Sequence, residues 1–455
     1  MKSARRPRQF FLLLVDSGVL VLSLFIALLL RSRSFPSPQL FGTLVTIFLP
    51  CWVLWIVSFY TANLYDISAA FDELRFAARL FGAVAVGGLL SALVFYLGNW
   101  SLSPKTILGL HAAVLFLLLW LWRFLYGRIA SRYLPLKATA FVGVDPTVQE
   151  IVAAMRKNNR LGYEAAVILD EAGKAPVDLR VLAVKSREAF VEAVRDGAVP
   201  LVVISDEDRL SERTRQALLT LIDHSVRFMR LADFYELYLR KIPIGTINDV
   251  WFLENMDLRG KARYRAVKRG FDILISLSFL IVCLAPWLLI SLGIRLSNKG
   301  PVLFRQERLG RGGKPFRILK FRTMRVDRNN FAPTAVKDPR VTGFGRFLRR
   351  FNLDETPQCI NILLGEMSLV GPRPERPELA AVLERSIPYY RQRLLVKPGI
   401  TGWDQVSGEY HSPSVEDTYK KLQYDLYYVK NMSVLLDFSI FFKTILTMFR
   451  RKGGR

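Results

Sequence analysis

Apolar and polar positions fall into three regimes along the chain. Residues 10–30 form an apolar run broken by one charge, Asp16, and residues 41–60, 80–97 and 106–122 form three further runs without acidic or basic side chains other than His111. Each is close to the roughly 20 residues that a spanning helix needs, so residues 1–132 are expected to hold four transmembrane helices. No small-residue cleavage site follows the first run, which therefore reads as a span rather than a removable leader. Trp52, Trp55, Trp100, Trp120 and Trp122 fit interfacial belts. Asp16 is costly at that depth and is expected to pair inside the bundle or lie near its edge.

From residue 137 the period changes. Strands are expected at 139–143, 165–169, 181–184, 200–205 and 226–231, alternating with helices at 148–158, 186–196 and 213–224. That alternation predicts a soluble doubly wound α/β domain over 133–250. After its first strand, Gly143 is the only glycine where a dinucleotide fingerprint wants three, and Pro146 obstructs close approach to a pyrophosphate. The domain reads as Rossmann-like but degenerate, either non-binding or regulatory. The Tyr133/Lys137 and Tyr264/Lys268 spacings lie outside the alternating strands and helices, the first contains Pro135, and neither reads as a dehydrogenase pair.

Residues 248–260 look like a connector, with the linker drawn at 251–264 before a third domain at 265–455. Lys261, Arg263, Arg265, Lys268 and Arg269 form a basic cluster ahead of an apolar run at 273–294 that contains Pro286. Proline kinks a helix, and basic flanks at both ends (Arg269, then Arg295 and Lys299) argue against crossing. A re-entrant helix over 265–294 satisfies both facts. Residues 302–324 then read as two strands around a Gly310–Gly313 turn that lacks phosphate-loop spacing. Residues 345–351 and 432–451 are basic amphipathic segments suited to a headgroup layer. The fold class expected is thus a membrane α-helical bundle, a soluble α/β domain, and a mixed α/β catalytic domain with a re-entrant membrane helix.

Composition sharpens this picture. In 455 residues, 51% are hydrophobic, mean hydropathy is +0.23, and 64 basic against 39 acidic residues give a net charge of +25. Such charge suits nucleic acid, anionic headgroups or phosphate-bearing substrates, and its clustering beside apolar segments favours the last two. Lys2, Arg5, Arg6 and Arg8 before the first span, with Arg123, Arg128 and Arg132 after the fourth, put both flanks on the cytoplasmic side, although Arg31 and Arg33 run against that asymmetry. Cys51, Cys283 and Cys359 are scattered, as are His111, His224 and His411, so neither a disulfide framework, a thiolate or histidine metal centre nor a histidine triad is indicated.

The stretch with most chemistry in it is Arg349-Arg350-Phe351-Asn352-Leu353-Asp354-Glu355-Thr356-Pro357-Gln358. Thr356 reads as an N-cap, Pro357 as the first helical residue and Gly365 as the stop, which sets Asp354 and Glu355 at a positive helix end. Favourable dipole placement alone accounts for many such pairs. Here Arg340, Arg349, Arg350 and Arg373 surround it, and guanidinium groups hold phosphate oxygens two at a time. Two carboxylates in that setting can share a divalent cation or supply a nucleophile.

Lys268-Arg269-x-x-Asp272 before the proline-broken helix, Lys320-Phe321-Arg322-Thr323-Met324, Leu353-Asp354-Glu355-Thr356-Pro357-Gln358, Gly371-Pro372-Arg373-Pro374-Glu375 and Lys397-Pro398-Gly399-Ile400-Thr401-Gly402 occur in that order. Together they resemble the bacterial polyprenyl-phosphate sugar-1-phosphate transferases, the monotopic phosphoglycosyl transferases, from about residue 262 onward. The whole chain resembles their long form, as in undecaprenyl-phosphate glucose or galactose phosphotransferases. One departure is the helix break, often Ser-Pro in the family and here Ala285-Pro286.

The resemblance implies transfer of a sugar-1-phosphate from a UDP-sugar to undecaprenyl phosphate, at the first membrane step of exopolysaccharide, capsule or O-antigen synthesis. It implies Asp354 as nucleophile, forming a covalent phosphosugar intermediate with release of UMP, and Glu355 as Mg2+ ligand with Asp354 beside it. Lys320, Arg322, Arg340, Arg349 and Arg373 would bind substrate phosphate; Lys397, Pro398, Gly399, Thr401, Gly402 and Gln405 would lie at the nucleotide side, where a plain turn is the rival reading. Lys268, Arg269, Asp272 and Pro286 would shape the re-entrant helix. Expected partners are the UDP-sugar, undecaprenyl phosphate and membrane lipid, with a homodimer open and no nucleic acid; the expected location is the bacterial inner membrane, multi-pass, with the catalytic domain facing the cytoplasm. Two alternatives stay open: a membrane-bound NAD-dependent nucleotide-sugar dehydratase, and a non-enzymatic scaffold for polysaccharide assembly.

Overall fold

The computed structural model describes residues 2–62, 64–65, 73–97, 105–133, 136–157, 162–173, 181–197, 199–205, 210–224, 226–256, 259–297, 300–325, 338–407 and 414–450. Trp100, Lys299, His411 and the side chains of Lys2, Arg5, Arg6, Arg8, Arg128 and Arg132 lie outside the described residues. The chain divides into two compact units, residues 1–239 and 240–455.

The four apolar runs become α1 (Lys2–Ser32), α2 (Pro38–Thr61), α3 (Glu73–Leu97) and α4 (Lys105–Tyr133). Ser37 caps α2 by accepting from the Leu40 amide. Large side chains fill the bundle: Phe48, Trp55, Phe59, Leu24 and Leu115 are fully buried. Gly87 lets α3 approach α2, because a Cβ there would meet the Trp55 ring at 2.1 Å. The Trp55 indole donates to the Val84 carbonyl at 2.9 Å. Asp16 pairs within the bundle, with Arg123 at 2.7 Å, and His111 is buried in the core, 3.2 Å from the Leu20 carbonyl.

The α/β region follows as β1 (Lys137–Val142), α5 (Pro146–Lys157), β2 (Tyr163–Leu169), β3 (Leu182–Val184), α6 (Arg187–Asp196), β4 (Leu201–Ile204), α7 (Glu212–Leu219), β5 (Arg227–Arg230) and α8 (Leu231–Leu239). Its five strands pair in parallel in the order β3-β2-β1-β4-β5. Both sheet faces are covered, which is why the strands read as continuous apolar runs. The helix expected over 213–224 is shorter: α7 stops at Leu219 and a separate turn covers Ile222–His224. The amide and hydroxyl of Thr220 turn back onto the Ala217 carbonyl, ending the α-helical ladder.

The second unit opens before the expected boundary at 250. Ile242 and Ile244 pack with Trp251 and Phe252 in its core, and the stretch read as a connector carries α9 (Asp249–Asn255), capped by Asn248. Two buried aromatic side chains make this segment part of the folded unit. α10 (Ala262–Ser297) comes next, a long apolar helix with Pro286 inside. The hairpin of β6 (Leu303–Leu309) and β7 (Pro315–Phe321) is antiparallel, turning through Gly312 and Gly313 at positive φ. α11 (Gly343–Arg350), α12 (Gln358–Leu364), β8 (Ser368–Val370), α13 (Pro377–Ser386), β9 (Gly399–Thr401), α14 (Val415–Asn431) and α15 (Val434–Arg450) complete it.

The N-cap expected at Thr356 is not one. α12 starts at Gln358 behind Pro357 without a side-chain cap, and the Thr356 hydroxyl donates backwards to the Leu353 carbonyl at 2.8 Å. A preceding turn at Leu353–Glu355 leads into the helix, so Thr356 closes that turn instead. Gly365 does end the helix as expected, at φ +86.

Candidate active site

Thr342 caps α11, whose face can lie on the end of β7 only because residue 345 is glycine: a Cβ there would sit 2.1 Å from the Thr323 carbonyl. Asn352 then adopts a left-handed conformation (φ +53), which asparagine tolerates better than most residues, and reverses the chain into the Leu353–Glu355 turn. The acidic pair is thereby presented between α11 and α12, both members half-buried.

The two carboxylates have different surroundings. Glu355 Oε1 accepts from Lys320 Nζ at 2.7 Å and Arg373 Nη2 at 3.0 Å. Burial alone would raise the Glu355 pKa, but Arg373 and Lys320 outweigh it and hold it down at about 2. Asp354 makes no ion pair among the described residues. Its pKa is raised, first by burial and then by the Glu355 charge, against the opposing fields of Lys320 and Arg349. One carboxylate is thus clasped and the other is open, with cations near enough to act on both.

Of the other residues expected to bind phosphate, Arg349 reaches Thr323 Oγ1 at 2.8 Å. The Arg322 guanidinium packs against Gly300, within 2.3 Å of where a Cβ on that glycine would be. Arg340 is held by Asp338, with Nε 2.9 Å from Oδ1. Lys320, Arg349 and Arg373 therefore gather around the pair, whereas Arg322 and Arg340 have contacts of their own.

The segment expected at the nucleotide side forms a tight backbone layer. Gly399 N donates to the Pro372 carbonyl and Gly371 N to the Thr401 carbonyl, while Pro398 accepts from Ser368 N. A Cβ on Gly399 would lie 2.1 Å from Gly371 N, and one on Gly402 2.7 Å from Gly371 O, so these glycines permit backbone to touch backbone. Thr401 Oγ1 meets Thr444 Oγ1 at 2.6 Å. Gln405 Oε1 is enclosed without a hydrogen-bond partner among the described residues. Lys397 is half-buried near Gly365 and the Arg269 guanidinium; burial first, then Arg269, pulls its pKa down.

Lys268, Arg269 and Asp272 anchor α10. Lys268 Nζ and the Tyr264 hydroxyl both donate to Asp437 Oδ2, at 2.8 and 2.7 Å. Arg269 donates to the last carbonyls of α12, Ile362 at 2.6 Å and Leu363 at 2.8 Å, a cation at a helix C-terminus. Asp272 Oδ1 accepts from Ser368 Oγ and Leu369 N.

Several contributors carry no sequence signal that would single them out. Arg393 is buried on Asp425 at 2.8 Å and donates to the Arg373 carbonyl at 2.9 Å. Glu375 does close the motif at 371–375, but nothing in the sequence announces its partner: it is held by Lys421 at 2.7 Å. These pairs join segments tens of residues apart. Asp437 had one available sign, a lone charge inside an otherwise apolar stretch.

Five described helices are long and apolar enough to cross a membrane: 10–32, 38–61, 79–96, 106–126 and α10. With an acidic pair ringed by cations in the unit that carries α10, the fold and site are those of a membrane-bound enzyme of the transferase class. More narrowly, the chain belongs to the bacterial sugar transferase family, whose model matches residues 263–451. The UDP-glucose:undecaprenyl-phosphate glucose-1-phosphate transferase of Klebsiella pneumoniae is 32% identical over 322 residues, 70% of this chain and 69% of the relative. The UDP-N-acetylgalactosamine-undecaprenyl-phosphate N-acetylgalactosaminephosphotransferase of Aeromonas hydrophila is 41% identical over 194 residues, 42% of this chain and 46% of that protein. The exopolysaccharide production protein PSS of Rhizobium leguminosarum bv. phaseoli is 43% identical over 197 residues, 41% of this chain and 98% of its own length.

Proposed function

We propose that this enzyme transfers a sugar-1-phosphate from a UDP-sugar to undecaprenyl phosphate in two displacements at Asp354. The observation that carries the reading is the unequal acidic pair: Glu355 is clasped by Lys320 and Arg373, whereas Asp354, next to it, has no ion-pair partner among the described residues. An Asp354 oxygen attacks the β-phosphorus, the bond to the bridging oxygen breaks, and UMP leaves with the electron pair. A phosphate oxygen of the lipid then attacks the same phosphorus and Asp354 leaves as carboxylate. Lys320, Arg349 and Arg373 offset the charge that builds on the phosphoryl oxygens.

A magnesium ion fits this donor set. Mg2+ is commonly held by one or two carboxylates with substrate phosphate and water, and Asp354 and Glu355 supply such oxygens. Glu355 Oε1 already serves two cations, so the second Glu355 oxygen and Asp354 are the natural donors. Bound there, the ion would neutralise charge on the diphosphate.

We read α10 as re-entrant. Its contacts to Leu363 and Thr356 come from Arg269 and Trp287, eighteen residues apart on α10 and seven apart on the partner segment. Eighteen helical residues run about 27 Å and seven about 10 Å, which supports a bend near Pro286. Between the anchors, Leu277, Ile281, Val282 and Leu284 are 46–73% exposed and call for lipid. With the bundle's basic flanks, this supports an inner-membrane protein with its catalytic unit at the cytoplasmic face. The α/β region is read as Rossmann-like without a dinucleotide. Asp145 caps the α5 amide of Val148 at 2.8 Å, and Ser205 Oγ fills the space over Gly143, where a pyrophosphate would need access.

The test is UMP release from purified enzyme given undecaprenyl phosphate, Mg2+ and a panel of UDP-sugars. With donor alone, one UMP per enzyme and a phosphosugar adduct on Asp354 in the intact mass are expected, and Asp354→Asn should abolish both. Absence of UMP with every donor, or full activity of Asp354→Asn, would refute the reading.

A further inference from the structure

The two residues that flank the acidic pair both lean on α10, on the stretch from Trp287 to Ile294. Leu353 packs in the cluster of Ile290, Ile294, Phe321 and Leu348, to which Trp287 also belongs. Thr356 Oγ1 accepts from Trp287 Nε1 at 3.1 Å while it donates to the Leu353 carbonyl at 2.8 Å. The indole also meets the Phe321 ring edge-on, centroids 5.6 Å apart at 88°. Phe321 follows Lys320, the residue that holds Glu355.

One side chain thus touches both halves of the site, the turn that carries Asp354 and Glu355 and the strand that carries Lys320. An indole has a single donor and no acceptor, so its hydrogen bond fixes the Thr356 hydroxyl's remaining role as a donor. That donation closes the turn on Leu353. Without it, Thr356 could rotate and the Leu353–Glu355 turn would keep only its longer backbone bonds, Thr356 N to the Leu353 carbonyl and Glu355 N to the Asn352 carbonyl, both at 3.3 Å. Displacements of about 1 Å at a reacting atom cost on the order of 100-fold in rate.

We propose that Trp287 is a positioning residue for phosphoryl transfer: through Thr356 and Phe321 it makes the seating of the membrane helix α10 set the approach of Asp354. The inference rests on Asp354 being the attacking group. Leu284, Leu288 and Leu289, beside Trp287, are 56–74% exposed, so the lipid that covers them also seats the indole. The catalytic turn is therefore competent when α10 is embedded, close to where the lipid acceptor resides.

The experiment compares Trp287→Phe, Thr356→Val and the double variant in full-length enzyme in vesicles, by UMP release. Trp287→Phe keeps the ring and removes the donor. A net hydrogen bond is worth about 0.5–1.5 kcal/mol, so kcat should fall about 2- to 12-fold. KM for the UDP-sugar should hold, and any drop in melting temperature should stay within what one hydrogen bond contributes to stability. Thr356→Val should show a similar loss, the double variant no more than the larger single loss, and Thr356→Ser should recover most of it. Wild-type kcat in Trp287→Phe, losses that multiply in the double variant, or a loss that tracks a lowered melting temperature would each overturn the proposal. Failure of the wild type to release UMP would instead overturn the proposed function.

Discussion

Arg393 Nη2 donates to the main-chain carbonyl of Arg373 at 2.9 Å, so the residue that clasps Glu355 is itself held by a buried cation. Arg393 and Asp425 are both nearly inaccessible, and the pair's second tie is to the Tyr390 hydroxyl at 3.0 Å. Two contributions can be separated. Arg393→Leu should lower stability by about 3–5 kcal/mol, because it leaves the Asp425 carboxylate buried without its partner. Adding Asp425→Leu should restore much of that stability. It cannot restore the bond to Arg373, so UMP release should remain low in the double variant. Thermal melts alongside turnover check both halves.

Asp354→Glu keeps the charge and shifts the oxygen proposed to attack by about one methylene. Near-attack geometry is steep enough that turnover should fall on the order of 100-fold or more. An active Asp354→Glu enzyme would place the nucleophile elsewhere.

The pH dependence follows from the unequal pair. Glu355, depressed to about 2, adds stability that is present above its ordinary 4.5 and is lost as pH falls through about 2. Asp354 has the opposite sign: its pKa is raised above 3.8, so the stability it contributes is present below 3.8 and is lost as pH rises from there through the raised value. The proposed attack requires the ionised form. The acid limb of kcat/KM should therefore lie above 3.8 and follow Asp354, with Glu355 still charged throughout. A rate that stays flat down to 3.8 would contradict the assignment.

In the bundle, Asp16 and Arg123 join α1 to α4 at 2.7 Å, both almost wholly buried. Asp16→Asn should destabilise the bundle by about 3–5 kcal/mol through the stranded guanidinium, and Asp16→Leu with Arg123→Met should recover much of the loss. Catalysis by the folded fraction should not change. Melting temperature and specific activity per folded enzyme distinguish these outcomes.

What could be read from residue order is tied to local physics. Spans appear because an apolar run of about 20 residues declares its own environment. The parallel strands of the α/β region announce themselves as short apolar runs between amphipathic helices. Gly365 stops α12 because its backbone must turn left-handed there. The acidic pair and the cations Lys320, Arg349 and Arg373 stood out by residue type and motif. Thr356 is the instructive failure. Its cap residue type was legible, but its hydroxyl serves a different turn, because Trp287, sixty-nine residues earlier in the chain, supplies the competing partner.

Tertiary structure alone decided which carboxylate is clasped and which is open. Asp354 and Glu355 are neighbours with nearly the same intrinsic chemistry; burial, then the Glu355 charge, raises Asp354, whereas the arrival of Arg373 from the loop after β8 and Lys320 from β7 overcomes burial at Glu355 and brings it down. It also decided that Arg393 and Asp425 belong to the site's support. Charge pairs formed across a fold depend on distances that residue order does not encode, whereas apolar runs and glycine turns depend on neighbours that it does.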